Sequence, residues 1–171
     1  MSTASRARSN SLYTSEQRRR RDQSAWTLVQ GVLAPIQFAV FLVSLGLVAR
    51  YLVTGEGLRA ATLSIVVKTA VLYLIMVTGS IWERRVFGVW LFAESFFWED
   101  VVSIGVLALH TAYLFCLVTG ALAPREQMLL ALSAYLVYVV NATQFVLKLR
   151  AVRLAGEGER VDPAIGLEPA R

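Results

Sequence analysis

The residues best suited to chemistry lie close together in one apolar stretch of the chain. Glu99, Asp100, Ser103 and His110 follow one another there. At about 100° per residue, Glu99, Ser103 and His110 would share a helical stripe about 40° wide. Carboxyl groups and imidazole are common general acids and bases, and ionisable side chains inside a bilayer usually face the protein interior. The stripe is therefore a candidate reactive site.

The other three apolar stretches each carry a polar stripe as well. The stripes comprise Gln30, Gln37 and Ser44 in the first stretch, Lys68 and Glu83 in the second, and Asn141, Gln144 and Lys148 in the fourth. Four polar stripes turned inward predict a cavity that is wet or filled by a ligand. Structural explanations compete with this one. Amide and hydroxyl groups also join helices, carboxylates near an interface reach water, and Lys68 can pair with His110 or a carboxylate.

The elements that position these residues are four apolar blocks. The chain has 171 residues, 56% of them hydrophobic and only 17% charged, against roughly 25% charged in a typical soluble domain. Each block has close to the ~20 residues that a helix needs to cross a bilayer. The blocks are residues 27–48, 60–81, 101–118 and 128–147. The sequence therefore predicts an all-α, four-helix transmembrane bundle, and the block lengths argue against buried strands.

The distribution of charge predicts the topology. Basic residues concentrate in the segments at 1–25, at 84–85 and from 148 onward, and the opposite loops carry only three. The positive-inside rule then places both termini and the aromatic middle loop, 82–99, in the cytoplasm. We expect a basic tail over 1–25, a four-span domain over 26–150 and a loose tail over 151–171. The net charge of +5 suits a membrane protein, and no nucleic-acid-binding motif accompanies it.

Several long motifs resemble one known family. They are WTLVQGVLAPIQF (26–38), SIVVKT (64–69), MVTGSIWE (76–83), FFWEDVVS (96–103), ALHTAY (108–113) and NATQFVLKLR (141–150). Together they resemble the 3-vinyl bacteriochlorophyllide hydratase family, also called 2-vinyl bacteriochlorophyllide hydratase or chlorophyllide a hydratase. The resemblance runs from about Leu12 to Leu154. It carries no assignment of catalytic residues.

The resemblance implies an enzyme of bacteriochlorophyll biosynthesis in the inner, intracytoplasmic membrane of a phototrophic bacterium. Such a hydro-lyase adds water to the C3-vinyl group of chlorophyllide a or 3-vinyl bacteriochlorophyllide a and forms a 1-hydroxyethyl group. Because the oxygen comes from water, no redox cofactor is expected. The expected partners are the pigment substrate and the lipid bilayer, and a homo-oligomer or contacts with other pigment-biosynthesis enzymes stay open.

Hydration of a vinyl group on a macrocycle needs a proton donor, a base that positions water, and an apolar slot. We expect Glu99 or Asp100 to be the acid, and the other carboxyl group or Glu83 to be the base. A carboxyl group in apolar surroundings favours its neutral form, which suits an acid. His110 is expected either to ligate the magnesium of the pigment, which we prefer, or to relay protons.

The remaining site residues are expected to bind the substrate. They are Lys68, Trp98, Asn141, Gln144, Lys148, Arg84 and Arg85. Among them, Arg84, Arg85 and Lys148 are candidates to hold the propionate of the pigment. The main alternative is a pigment-binding or assembly protein of the photosynthetic membrane that catalyses nothing. A small four-helix transporter fits less well, because the first span carries no carboxylate.

Overall fold

The computed structural model describes residues 12–161, and all regular elements within that range are helical. They are α1 (Ser15–Gln23), α2 (Ala25–Thr54), α3 (Leu58–Val86), a 3₁₀ turn (Glu94–Phe96), α4 (Phe97–Thr119) and α5 (Pro124–Val161). Four of the helices are long and apolar enough to cross a membrane. This confirms the all-α class with four spans. Residues 1–11 of the predicted basic tail and 162–171 of the predicted loose tail lie outside the described residues.

The helices extend beyond the apolar blocks. Helix α1 lies within the predicted N-terminal tail, and α5 continues to Val161 through part of the tail predicted to be loose. Extension past the apolar block is expected where Arg, Leu, Ala and Glu recur, because these residues favour the helical backbone. Residues 151–161 of the predicted loose tail therefore continue the last helix. The connection between α3 and α4 is also shorter than the predicted loop at 82–99.

Glycines in the left-handed conformation separate the spans. Gly55 ends α2 at φ 75°, Gly57 precedes α3 at φ 83°, and Gly120 ends α4 at φ 66°. A residue with a Cβ is strained in this conformation, so glycine is the usual choice after a helix. The tight turns make neighbouring spans antiparallel.

Direct contacts between the spans define their register. The amide of Gln30 donates to the Thr78 hydroxyl at 2.8 Å, and Gly79 lies beside that amide. The Ser44 hydroxyl contacts the hydroxyls of Ser64 at 2.8 Å and Tyr135 at 2.5 Å. These bonds join α2 to α3 and α5. Large apolar side chains cover the outside of the bundle, which suits a surface facing lipid.

An aromatic cluster lies at the end of the bundle where α3 stops. It consists of Tyr13, Trp82, Phe87, Phe96 and Phe145, with Tyr13 and Phe96 buried. Burial raises the pKa of the Tyr13 hydroxyl, and the guanidinium of Arg21 lies over its ring. Two rings of the aromatic middle loop, Phe87 and Phe96, thus pack on Tyr13 of the N-terminal segment.

Replacing Tyr13 tests this packing. In Tyr13→Ala we expect the N-terminal segment to open locally, because the ring that stacks on Phe87 with centroids 5.6 Å apart is lost. Trypsin should then cut after the arginines at 18–21 faster than in the unaltered protein. Trp98→Ala is the control, because the Trp98 ring is 69% exposed and lies outside the cluster. Equal cleavage rates in the two variants would contradict the expectation.

Candidate functional site

Two buried carboxyl groups meet where α3 ends and α4 begins. Glu83 lies in the last turn of α3 and Asp100 in the first turn of α4, and each is 5% exposed. The two carboxyl groups lie close enough to interact with each other. Two neighbouring carboxylates repel, so this arrangement favours one proton on the pair. The pair therefore combines one proton donor with one acceptor. We call it the carboxyl pair.

The carboxyl pair also holds the connection between α3 and α4. The backbone N–H of Phe92 donates to Asp100 Oδ2 at 2.8 Å, and that of Ala93 donates to Glu83 Oε2 at 3.1 Å. Phe92 has φ 61°, a conformation that is unfavourable for a residue with a large side chain. The two N–H bonds compensate part of that strain. The connection and the pair are thus one structural unit.

Glu99 lies beside the pair but has a different partner. The ammonium of Lys148 on α5 donates to Glu99 Oε2 at 2.6 Å, with the two side chains 20% and 10% exposed. A close ammonium favours the ionised carboxylate, and an ionised carboxylate has no proton to give. The geometry therefore favours the carboxyl pair over Glu99 as proton donor. Lys148, predicted to hold a propionate, is engaged by this carboxylate.

Lys68 and His110 form a second buried pair deeper in the bundle. Lys68 Nζ lies 2.9 Å from His110 Nε2, and His110 Nδ1 lies 2.8 Å from the carbonyl oxygen of Val106. Because a carbonyl only accepts, Nδ1 carries the proton and Nε2 accepts from Lys68. Both ring nitrogens are thus occupied. In this arrangement His110 has no free ring nitrogen, so ligation of magnesium stays a prediction that requires Lys68 to move away from Nε2.

Aromatic rings surround the ammonium of Lys68. The ammonium lies 4.3 Å from the ring centroid of Tyr138, 5.1 Å from that of Tyr135 and 6.0 Å from that of Phe41. Cation–π attraction stabilises an ammonium in such surroundings. The side chain is completely buried, so it does not reach the interface. The sequence left pairing of Lys68 with a carboxylate or with His110 open, and in the structure Lys68 pairs with His110.

A layer of amide side chains lies between the two pairs. The Asn141 amide donates to the Ser103 hydroxyl at 2.9 Å, which joins α5 to α4. Within residues 12–161, Asn141 Oδ1, Gln144 Oε1 and both polar atoms of Gln37 are buried without a hydrogen-bond partner. We call Gln37, Ser103, Asn141 and Gln144 the amide layer. Gln37 was part of a predicted stripe but not of the predicted site; its spacing from Gln30 and Ser44 was the available signal.

The other predicted binding residues lie at the surface. Trp98 is 69% exposed. The guanidinium of Arg84 donates to the carbonyl of Gly88 at 2.9 Å and lies over the Trp90 ring, while Arg85 is exposed. The structure therefore separates the predicted residues into four groups. One group lies at and beside the carboxyl pair, one lies in the amide layer, one lies deeper around Lys68, and one is exposed near the connection between α3 and α4.

Comparison with known proteins agrees with the motifs. Residues 13–151 match the family described as 2-vinyl bacteriochlorophyllide hydratase. A protein of that name from Cereibacter sphaeroides is 65% identical over 144 residues, which cover 84% of this chain and 89% of the relative. Another from Rhodobacter capsulatus is 61% identical over 148 residues, covering 86% of each. No solved structure matches the chain. With nearly the whole membrane domain matched, the chain belongs to the 2-vinyl bacteriochlorophyllide hydratase family.

Proposed function

We propose that the protein adds water to the vinyl group of a bacteriochlorophyll precursor and forms a 1-hydroxyethyl substituent. The single observation that supports this reaction in the structure is the carboxyl pair, in which Glu83 and Asp100 are buried next to each other. The names of two relatives above 60% identity support the substrate class. A protein that only binds pigment has no need of a buried acid and base in contact.

The carboxyl pair fits both proton transfers of the hydration. The protonated member gives its proton to the terminal vinyl carbon, and the positive charge on the inner carbon spreads into the macrocycle. Water then forms a C–O bond to the inner carbon and releases a proton to the member that was ionised at the start. The pair ends with one proton, as it began, but on the other carboxyl group. Because Glu83 and Asp100 lie next to each other, that proton can return for the next cycle.

The surface next to the pair suits a flat pigment. The rings of Phe92, Phe97 and Trp98 are exposed and close to Asp100 in the chain. Flat apolar rings match the face of a tetrapyrrole. The exposed guanidinium of Arg85 is a candidate partner for the propionate, because Lys148 already pairs with Glu99. In the proposed topology the positive-inside rule places this end of the bundle in the cytoplasm.

Mass spectrometry tests the reaction directly. The purified full-length protein in detergent is incubated with chlorophyllide a and, separately, with 3-vinyl bacteriochlorophyllide a. We expect a product heavier by one water, and in water enriched in ¹⁸O the added oxygen should carry the label. Binding of either pigment without any mass gain would favour the pigment-binding alternative. The two incubations also reveal which pigment is preferred.

The spectrum of the bound pigment tests the role of His110. In His110→Gln we expect the absorbance of bound pigment to stay unchanged, because Lys68 and Val106 already occupy both ring nitrogens. Binding to unaltered protein and to Ser133→Ala, a change at an exposed hydroxyl of α5, gives the reference spectrum. A shift confined to the His110 variant would support the magnesium-ligand role.

A further inference from the structure

We infer that the amide layer is a binding site for water, and that it holds the water that the enzyme adds to its substrate. The inference rests on the proposed hydratase function and extends it to residues that no comparison assigns. Its basis is four buried polar atoms at one level of the bundle that lack partners among residues 12–161: both polar atoms of Gln37, Asn141 Oδ1 and Gln144 Oε1.

Contacts between α2 and α5 place Gln37 and Asn141 at the same level of the bundle. Ser44 contacts Tyr135, and Phe41 contacts Tyr138. The two helices are therefore antiparallel, and a step of three residues towards the start of α2 matches a step of three residues towards the end of α5. One further turn brings Gln37 to the level of Asn141. Gln37 is 2% exposed and Asn141 is 8% exposed, so both amides belong to the interior. The Ser103 hydroxyl, bonded to Asn141, adds α4 to the same level.

The chemistry of the unpaired atoms identifies the ligand. Three of them are amide oxygens that need a donor, and one is an amide nitrogen that needs an acceptor. A molecule that only accepts hydrogen bonds, such as a carbonyl or ester of the pigment, satisfies the nitrogen alone. Water donates two hydrogen bonds and accepts two. It is also the smallest such ligand, with about 30 Å³ per molecule in the liquid.

The position of the layer suits delivery to the carboxyl pair. Ser103 lies three residues from Asp100 on the inward face of α4, a rise of about 4.5 Å. On the other side, Lys68 and His110 close the bundle with an aromatic cage around the ammonium. Water in the layer is therefore close to the carboxyl pair, which must accept its proton. The Lys68–His110 pair separates it from the other end of the bundle.

Substituting the glutamine tests the site. In Gln37→Met, which keeps the length but removes the polar atoms, we expect kcat to fall roughly tenfold to a hundredfold through lost positioning of water. The KM for the pigment should change less than about twofold, because the pigment is not held there. The control is Gln30→Met in the same helix, where the lost amide had its own partner in Thr78; its kcat should stay within about twofold of the unaltered protein.

A second measurement detects the water without any reaction. In protein labelled with ¹⁵N in its amide side chains, the Gln37 side-chain signal should show magnetisation transfer from water in the absence of pigment. No transfer would overturn the water site. Transfer together with unchanged kcat in Gln37→Met would overturn its role in hydration. A protein that hydrates no pigment at all would refute the proposed function, while the transfer measurement still decides whether water occupies the layer.

Discussion

Asp100→Asn and Glu83→Gln are each expected to lower kcat/KM for vinyl hydration by about 10² to 10⁴, the range lost when a positioned acid or base is removed. An amide in either position cannot exchange a proton with its neighbour, so both proton transfers are impaired. The carbonyl oxygen of the new amide can still accept the hydrogen bond that Phe92 N–H donates to Asp100 or that Ala93 N–H donates to Glu83. The fold should therefore survive, and steady-state hydration of the pigment measures the loss.

Two further amide variants sharpen this experiment. Glu94→Gln removes an exposed carboxylate in the 3₁₀ turn nearby and should leave hydration unchanged. Glu99→Gln should lower hydration less than either change in the carboxyl pair, because Glu99 is ion-paired with Lys148. Full activity in both Asp100→Asn and Glu83→Gln would refute the carboxyl pair as acid and base. A loss confined to Glu99→Gln would return the role to Glu99.

Lys148→Met is expected to lower the free energy of unfolding by about 3–5 kcal/mol, because it leaves a buried carboxylate without its cation. The side chain of Glu99 is only 10% exposed, so water compensates little of the lost pairing. In the double variant Lys148→Met with Glu99→Gln, most of the stability should return, since no buried charge remains unpaired. Reversible unfolding by denaturant in mixed micelles gives the free energies.

Arg150→Met is the matched control for the charge pair. Arg150 lies two residues further along α5 and is exposed, and a change at such a position usually alters stability by about 0.5 kcal/mol or less. If the double variant were as unstable as Lys148→Met alone, the lost contact between the Lys148 ammonium and the Phe96 ring would explain the effect better than an unpaired Glu99 carboxylate. The variants of Glu83 and Asp100 thus test catalysis, and the variants of Lys148 and Glu99 test stability of the bundle.

Much of the site was accessible from residue type and spacing. The stripe of Glu99, Ser103 and His110 was predicted on one face of the third span, and all three side chains are buried. Pairing of Lys68 with His110 was among the alternatives. Helical periodicity explains this success, because it determines which residues of one helix share a face whatever the neighbouring helices are.

Periodicity could not determine which residues meet across helices. Glu99 and Asp100 are neighbours in the chain with the same charge and similar burial, yet one pairs with Lys148 and the other with Glu83. Adjacent helical positions differ by about 100° in direction, so they face different helices. The partner of His110 Nε2 was not determined by spacing for the same reason, since it is a lysine of another helix.

The sequence by itself determined the number of spans, their polar faces and the family. Apolar length and long matching motifs are properties of the chain alone, independent of how its helices pack. Only the tertiary structure decided that Glu83 and Asp100 are buried side by side, that Glu99 is an ion-pair partner, and that the amide of Gln37 is buried without a partner among residues 12–161. The physical reason is that these properties depend on the tilt, rotation and register of one helix against another, which side-chain packing between helices sets.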